Sequence, residues 1–264
     1  MSDENPIQTE LDREGVLLVT LSRPERKNAF NEAQWDGLAR TLRDAANDPG
    51  VAVVVLCGAG GNFSSGADLT AFGGPAPPRR EDGYKSGFFA CVAAIFDLDK
   101  PLLAAVTGVA VGGGCTLAVA SDIVYVGESV RMRLPFANLG LVPEIASSYT
   151  LQAAIGRQRA AELMFTAEWI DAKRAIEMGM AARCLPDAEL LPATLAKARE
   201  IAQWPVSALR AIKQTLQVAH RAGIEAAIAA EDEAMARLAG SPENIEAIRA
   251  FVEKRPADFK QFRK

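Results

Sequence analysis

Two glycine-bearing turns, Phe63-Ser64-Ser65-Gly66-Ala67-Asp68-Leu69 and Val111-Gly112-Gly113-Gly114-Cys115-Thr116, each follow an apolar, strand-like run. Paired turns of this kind can aim two free backbone N–H groups at one point, which is how a developing oxyanion is held. In the second turn the first N–H groups of the following helix have no intrahelical partner and carry the positive end of its dipole. Glycines there let an oxygen approach closely. In the first turn Ala67 is the position whose N–H a close-approach turn presents, while Asp68 reads equally well as a cap for the segment after it. Either turn alone is ordinary loop chemistry; the pair is what suggests a site.

A third segment, Leu134 to Ser148, contains Pro143-Glu144 between apolar neighbours, and Glu144 is its only carboxylate. The sequence predicts that Glu144 opens a helix, where the dipole favours a negative charge. In a desolvated pocket its pKa would rise toward the range useful for proton transfer. Other catalytic equipment is sparse. The one histidine, His220, stands beside Arg221 on a predicted helix far from both turns, so a packing or exposed role is expected and a Ser-His-Asp triad has no support. No P-loop lysine follows the triple glycine, and Phe63 stands where dinucleotide spacing would need its last glycine. Arg23, Arg26 and Lys27 form a small basic cluster, open to either solvation or phosphate contact.

The elements that must position these groups alternate in type. Val16–Leu21, Val51–Leu56, Pro101–Val106 and Ile123–Val126 read as strands, and Phe88–Leu98 and Cys115–Ala120 as helices. Asn31 to Asn47 reads as a helix with Asn31 as N-cap, a stripe of Trp35, Leu38, Leu42 and Ala45, and a stop at Asp48-Pro49-Gly50. Thr70–Ser86, rich in glycine, proline and charge, is expected to be a surface loop, a candidate lid. Beyond Glu144 helices dominate: 145–155, 158–166, 171–177, 189–203, 207–222, 224–238 and 242–253, interrupted by a short strand at Met180–Cys184. The expected architecture is an α/β core with a helical C-terminal region.

Bulk properties narrow the function. The 264 residues are enough to bury a sizeable core, and 49% hydrophobic with 23% charged residues is ordinary globular composition. A net charge of −4 gives no diffuse attraction to nucleic acid or to an anionic membrane, so neither is an expected partner. No apolar run approaches the roughly 20 residues needed to span a bilayer. Cys57, Cys91, Cys115 and Cys184 show no CxxC pairing, and three lie within apolar runs as buried thiols would. A reducing, cytoplasmic setting is expected.

Taken in order, Leu21-Ser22-Arg23-Pro24 through Asn28-Ala29, Phe63–Leu69, Lys100-Pro101 through Gly108, Gly112–Leu117, Ala120-Ser121-Asp122, Leu139–Glu144 and Phe251-Val252-Glu253-Lys254-Arg255 resemble the crotonase superfamily, the enoyl-CoA hydratase/isomerase family, across nearly the whole chain. The resemblance implies an α/β fold, the ClpP/crotonase spiral of ββα units. It places a CoA-binding and catalytic core over residues 1–200 and a helical trimerisation region over 201–264. It further implies acyl-CoA thioester substrates, no cofactor beyond the coenzyme A of the substrate, and a homotrimer or dimer of trimers. By position, Ala67 and Gly113 supply the oxyanion-hole N–H groups. Arg26, Lys27, Ala29 and Ser65 lie along the CoA, with Ser64, Gly66, Asp68, Leu69, Gly112, Thr116, Phe136 and Leu139 completing the substrate site.

Thr116 and Phe136 occupy the positions where a typical hydratase of this superfamily carries its two glutamates, so hydration is expected to be weak or absent. The Ser-Ser-Gly turn, Thr116, and Pro-Glu followed by Ser-Ser are similar to the peroxisomal-type Δ3,Δ2-enoyl-CoA isomerase branch. In that branch the carboxylate matching Glu144 is the catalytic base. Other crotonase reactions (weak hydration, thioester hydrolysis, decarboxylation) and a CoA-thioester-binding protein without turnover are the alternatives.

Overall fold

The computed structural model describes residues 6–68 and 80–263. Leu69 and the 70–79 portion of the expected loop lie outside the described residues. In chain order the elements are β1 (Ile7–Leu11), β2 (Val16–Leu21), α1 (Glu32–Asn47), β3 (Val53–Gly58), α2 (Gly87–Asp97), β4 (Leu102–Val106), β5 (Val109–Val111), α3 (Gly113–Val119), β6 (Ile123–Gly127) and β7 (Arg131–Arg133). They continue as α4 (Ser147–Ile155), α5 (Arg157–Thr166), β8 (Ile170–Asp171), α6 (Ala172–Met178), β9 (Arg183–Leu185), α7 (Asp187–Ala202), α8 (Val206–Val218), α9 (Arg221–Leu238) and α10 (Pro242–Val252).

The larger sheet runs β1-β2-β3-β4-β6-β9, and the smaller runs β5-β7-β8. Only the outer pair β1–β2 of the larger sheet is antiparallel; its other pairings are parallel. That accounts for the continuous apolar character of β3 and β4, since strands covered on both faces need no polar side. The chain alternates between the sheets: β4 then β5, and β6 then β7. After β3, Ser64 makes an isolated parallel bridge to Ala110 of β5. Successive strand pairs therefore stack turn upon turn as a spiral, with a helix between turns.

Helix α1 forms as its sequence predicts: the Asn31 side chain accepts from Gln34 N at 2.9 Å, and Trp35, Leu38, Leu42 and Ala45 are buried. Lys100, 2% exposed, donates Nζ to the carbonyls of Ala45 and Asp48 at 2.6 Å each, satisfying carbonyls at the far end of α1. Cys57, Cys91 and Cys115 are buried and Cys184 is exposed. Several boundaries differ from expectation, three of them near the candidate site or in the late strand. The 180–184 strand lies at Arg183–Leu185, and the expected helix at Cys115 begins two residues earlier, at Gly113. The helix expected from Ile145 begins at Ser147, because Ile145 (φ 56°) and Ala146 (φ 52°) are left-handed.

Candidate active site

Asn28 is the hub from which the first turn is built. Fully buried and left-handed (φ 54°), it donates Nδ2 to Ala59 O (2.9 Å) and Asn62 O (2.8 Å) and accepts from Arg23 N (2.9 Å) through Oδ1. Its carbonyl accepts from the Ser64 hydroxyl at 2.8 Å, and that hydroxyl in turn accepts from Gly66 N at 3.1 Å. Ser65 completes the stitching, N to Lys27 O at 2.9 Å and Oγ to Arg26 O at 3.2 Å. Residues 23–29 are thereby folded over residues 59–66.

The second turn is locked to the first by contacts too close for side chains. A methyl group on Gly66 (φ +87°) would lie 2.5 Å from Val111 O, and one on Gly114 would lie 2.4 Å from Ser64 O. Both positions require glycine. The Gly66 methyl position also lies 3.4 Å from Gly113 N, so the amides of Gly113 and of Ala67, the next residue after Gly66, are close neighbours. Ala67 bridges Phe30 through its flanking groups: Phe30 N donates to Gly66 O and Asp68 N to Phe30 O. Among the described residues no backbone carbonyl accepts from Ala67 N–H or Gly113 N–H.

Glu144 completes the arrangement. A methyl group on Gly113 would lie 2.9 Å from Glu144 Oε1 and 3.4 Å from Cζ2 and Cη2 of Trp35, so the carboxylate and the indole edge face the first residue of α3. Trp35 stacks on Phe30 with ring centroids 3.8 Å apart and meets Phe88 edge-on at 5.2 Å. A cavity of about 50 Å³ beside Glu144 is walled by Phe88, Phe89 and Val92 of α2 and Ile228 and Met235 of α9. Burial, with the charge of Glu231 added to it, pushes the Glu144 pKa up to about 7.

Several sequence expectations change here. Glu144 does not open α4; two left-handed residues intervene. The carboxylate at that helix start is Glu231, whose oxygens accept from Ala146 N and Ser148 N at 2.8 Å each. Ser64 and Thr116 are fully buried, and the Thr116 hydroxyl donates to Gly113 O at 3.3 Å, so both side chains support the turns and present no surface to a ligand. Asp68 pairs with Arg23 (3.2 Å), which also donates to Ala29 O. That ion pair separates Arg23 from the exposed Arg26 and Lys27, the remainder of the basic cluster. Phe136 is buried and is not among the residues lining the cavity. Leu139 is half-buried, its carbonyl accepting from Asn244 Nδ2 of α10 at 2.7 Å. Gly112 is left-handed (φ 52°), its N–H donating to Arg133 O. His220 is exposed, with Nδ1 3.0 Å from the Tyr149 hydroxyl, as expected of a packing residue.

Sequence reasoning missed Ile228, Glu231 and Met235. The available signal was on α9, where Ile224, Ala227, Ile228, Glu231 and Met235 recur at helical spacing with one acid among apolar residues.

Residues 12–263 match the family model for enoyl-CoA hydratase/isomerase. The chain belongs to that family. It is 34% identical over 245 residues to a 2,3-dehydroadipyl-CoA hydratase of Escherichia coli K12, covering 93% of this chain and 95% of the relative. It is also 34% identical over 250 residues to a 1,2-epoxyphenylacetyl-CoA isomerase of the same organism, with the same coverage. A crystal structure of an enoyl-CoA hydratase/isomerase from Pseudoalteromonas atlantica T6c superposes with a TM-score of 0.91 at 31% identity, covering 96% of this chain and 99% of that one. The fold is therefore the crotonase fold. A hydratase and an isomerase stand at equal identity, so family membership alone does not choose a reaction.

Proposed function

We propose that this enzyme of the enoyl-CoA hydratase/isomerase family isomerises 3-enoyl-CoA to 2-enoyl-CoA thioesters. The observation that carries the reading is the carboxylate of Glu144 facing Gly113 beside two closely spaced amides. With the thioester carbonyl seated on the N–H groups of Ala67 and Gly113, the ionised Glu144 takes a proton from C2. The enolate oxygen is then held by the two amides, and the protonated Glu144 returns the proton at C4. Atoms and charge balance with no second substrate and no cofactor beyond the CoA of the thioester. The loss of one such amide donor costs about 3–4 kcal/mol of transition-state stabilisation, and a placed acid–base group contributes on the order of 10² to 10⁴ in rate.

Hydration asks for more: a water must be held and deprotonated while a second group manages the α-carbon. Thr116 and Phe136 stand at the positions of the missing hydratase glutamates and are buried. The other acid close by, Glu231, has both oxygens engaged by backbone N–H groups. The exposed Arg26 and Lys27, with Ser65 between their strip and the first turn, offer the CoA phosphates a cationic edge. Purified protein assayed with 3-enoyl-CoA, 2-enoyl-CoA plus water, and saturated acyl-CoA separates the readings. Turnover of the first alone is expected. Faster hydration of 2-enoyl-CoA, hydrolysis of acyl-CoA, or binding without any product would overturn it.

A further inference from the structure

The corner after Glu144 is unusual in conformation. Ile145 and Ala146 are consecutive non-glycine residues at φ 56° and 52°, a conformation that L side chains disfavour. Such a corner persists only where surrounding contacts hold it. Ile145 and Ala146 are buried, and the amides on either side of Ser147 are gripped by one side chain from a distant helix. Glu231 Oε2 accepts from Ala146 N and Oε1 from Ser148 N, each at 2.8 Å. The same side chain lines the cavity beside Glu144.

We infer that Glu231 is a positioning residue for Glu144: its carboxylate fastens the left-handed corner that turns Glu144 toward Gly113, and it fixes a negative charge behind that side chain. The inference rests on the reading of Glu144 as the catalytic base. One feature separates it from a simple helix cap. A cap needs only the helix N–H groups, whereas Glu231 holds the amide of Ala146 within the corner itself. Burial pushes the Glu231 pKa up, while the two main-chain N–H groups donating to its oxygens act against that and favour the ionised form.

Among the described residues, the groups facing Glu144 are few. From α9 come Glu231 and Asp232, the latter paired with Lys85 Nζ at 2.7 Å. From α2 come Phe88, Phe89 and Val92, and from α1 Trp35, none of which titrates. Among the described residues lining this cavity, Glu231 is therefore the acid without a cationic partner beside the proposed base, and its charge is one cause of the high Glu144 pKa, after burial.

The test compares Glu231→Gln and Glu231→Asp with the parent in the full chain, after melting curves confirm that each folds. The readouts are the pH profile of 3-enoyl-CoA isomerisation and the titration of the Glu144 carboxyl followed by carbon NMR in the free protein. Glu231→Gln removes the charge and one of the two clamping bonds. Its kcat should fall on the order of tenfold, and both the acid limb of the profile and the Glu144 midpoint should move to lower pH. Glu231→Asp keeps the charge and shortens the reach, so kcat should fall while the midpoint stays close to the parent's. A uniform loss of rate at every pH with no movement of either midpoint in Glu231→Gln would overturn the inference. Undiminished turnover by Glu144→Gln would instead overturn the role of Glu144, while the carbon titration still reports whether Glu231 acts on that carboxyl.

Discussion

As the proposed base, Glu144 is subject to opposing demands: it must be ionised to work, yet burial beside Trp35 and Phe88, with the charge of Glu231 added, resists ionisation. The compromise is a pKa of about 7. In the proposed reaction kcat/KM should rise as pH increases through about 7 and level off above it, read from initial rates between pH 5.5 and 9. A limb near the ordinary value for glutamate would contradict the environment described. Stability should carry the same signature with the opposite sense. The folded pKa lies above the unfolded value of about 4.5, so the stability this group contributes is fully present below about 4.5 and is lost as pH rises through about 7. Glu144→Gln removes the buried charge and should therefore melt higher than the parent at pH 8. The gain has an upper bound of about 3 kcal/mol, held below that by the residue's partial exposure, and should fade as pH falls below 7. Glu144 was legible from its segment as a candidate proton carrier, but its setting was not. Pro-Glu before an apolar stretch reads as a helix start, whereas burial of Ile145 and Ala146 and hydrogen bonds to the corner, those of Glu231 among them, hold two left-handed residues there.

Among the elements, those with strong periodicity or continuous burial were readable. α1 has its cap and stripe, and β3 and β4 are unbroken apolar runs. β1 was not, because its Gln8, Thr9 and Glu10 are exposed on an edge and only Ile7 is buried at 2%. β5, β7 and β8 are two or three residues long, too short for any period to register. Yet β5 carries the chain into the Gly112–Gly114 turn, and its pairing with Ser64 holds the two turns together. Close approach at this junction has a direct test in Gly66→Ala. The new methyl would meet Val111 O at 2.5 Å on a left-handed backbone, and that oxygen is main chain with little freedom to yield. A loss of at least about 2 kcal/mol is expected, seen as a drop in Tm of about 5 °C or more by calorimetry. An unchanged Tm would show that the turns are not interlocked as described.

At the scale of the molecule, the site is assembled from both ends of the chain: α1 and α2 give it one wall, α9 the other. Local pattern could name the glycine turns and Glu144, but not the docking of α9 across them, which depends on contacts between residues far apart in sequence. The helical C-terminal part also leaves large apolar side chains uncovered. Trp204, Ile212, Leu216 and Val218 around α8 are 57–73% exposed, as are Ile245, Phe251 and Val252 of α10. Exposure on this scale is characteristic of surfaces that pack against other subunits. We propose a homotrimer, with a dimer of trimers as the larger possibility, and light scattering at several concentrations should give a mass of three or six chains. A monomer at micromolar concentration would contradict it. Among the described residues no helix is long and apolar enough to cross a membrane, so these side chains are not part of a spanning helix.

The most direct test of the catalytic claim is the rate of 3-enoyl-CoA isomerisation by Glu144→Gln at pH 8, measured beside its affinity for CoA by calorimetry. A fall of at least about 100-fold in kcat with CoA affinity unchanged is the predicted result. Turnover at the parent's rate with CoA bound normally would contradict the account.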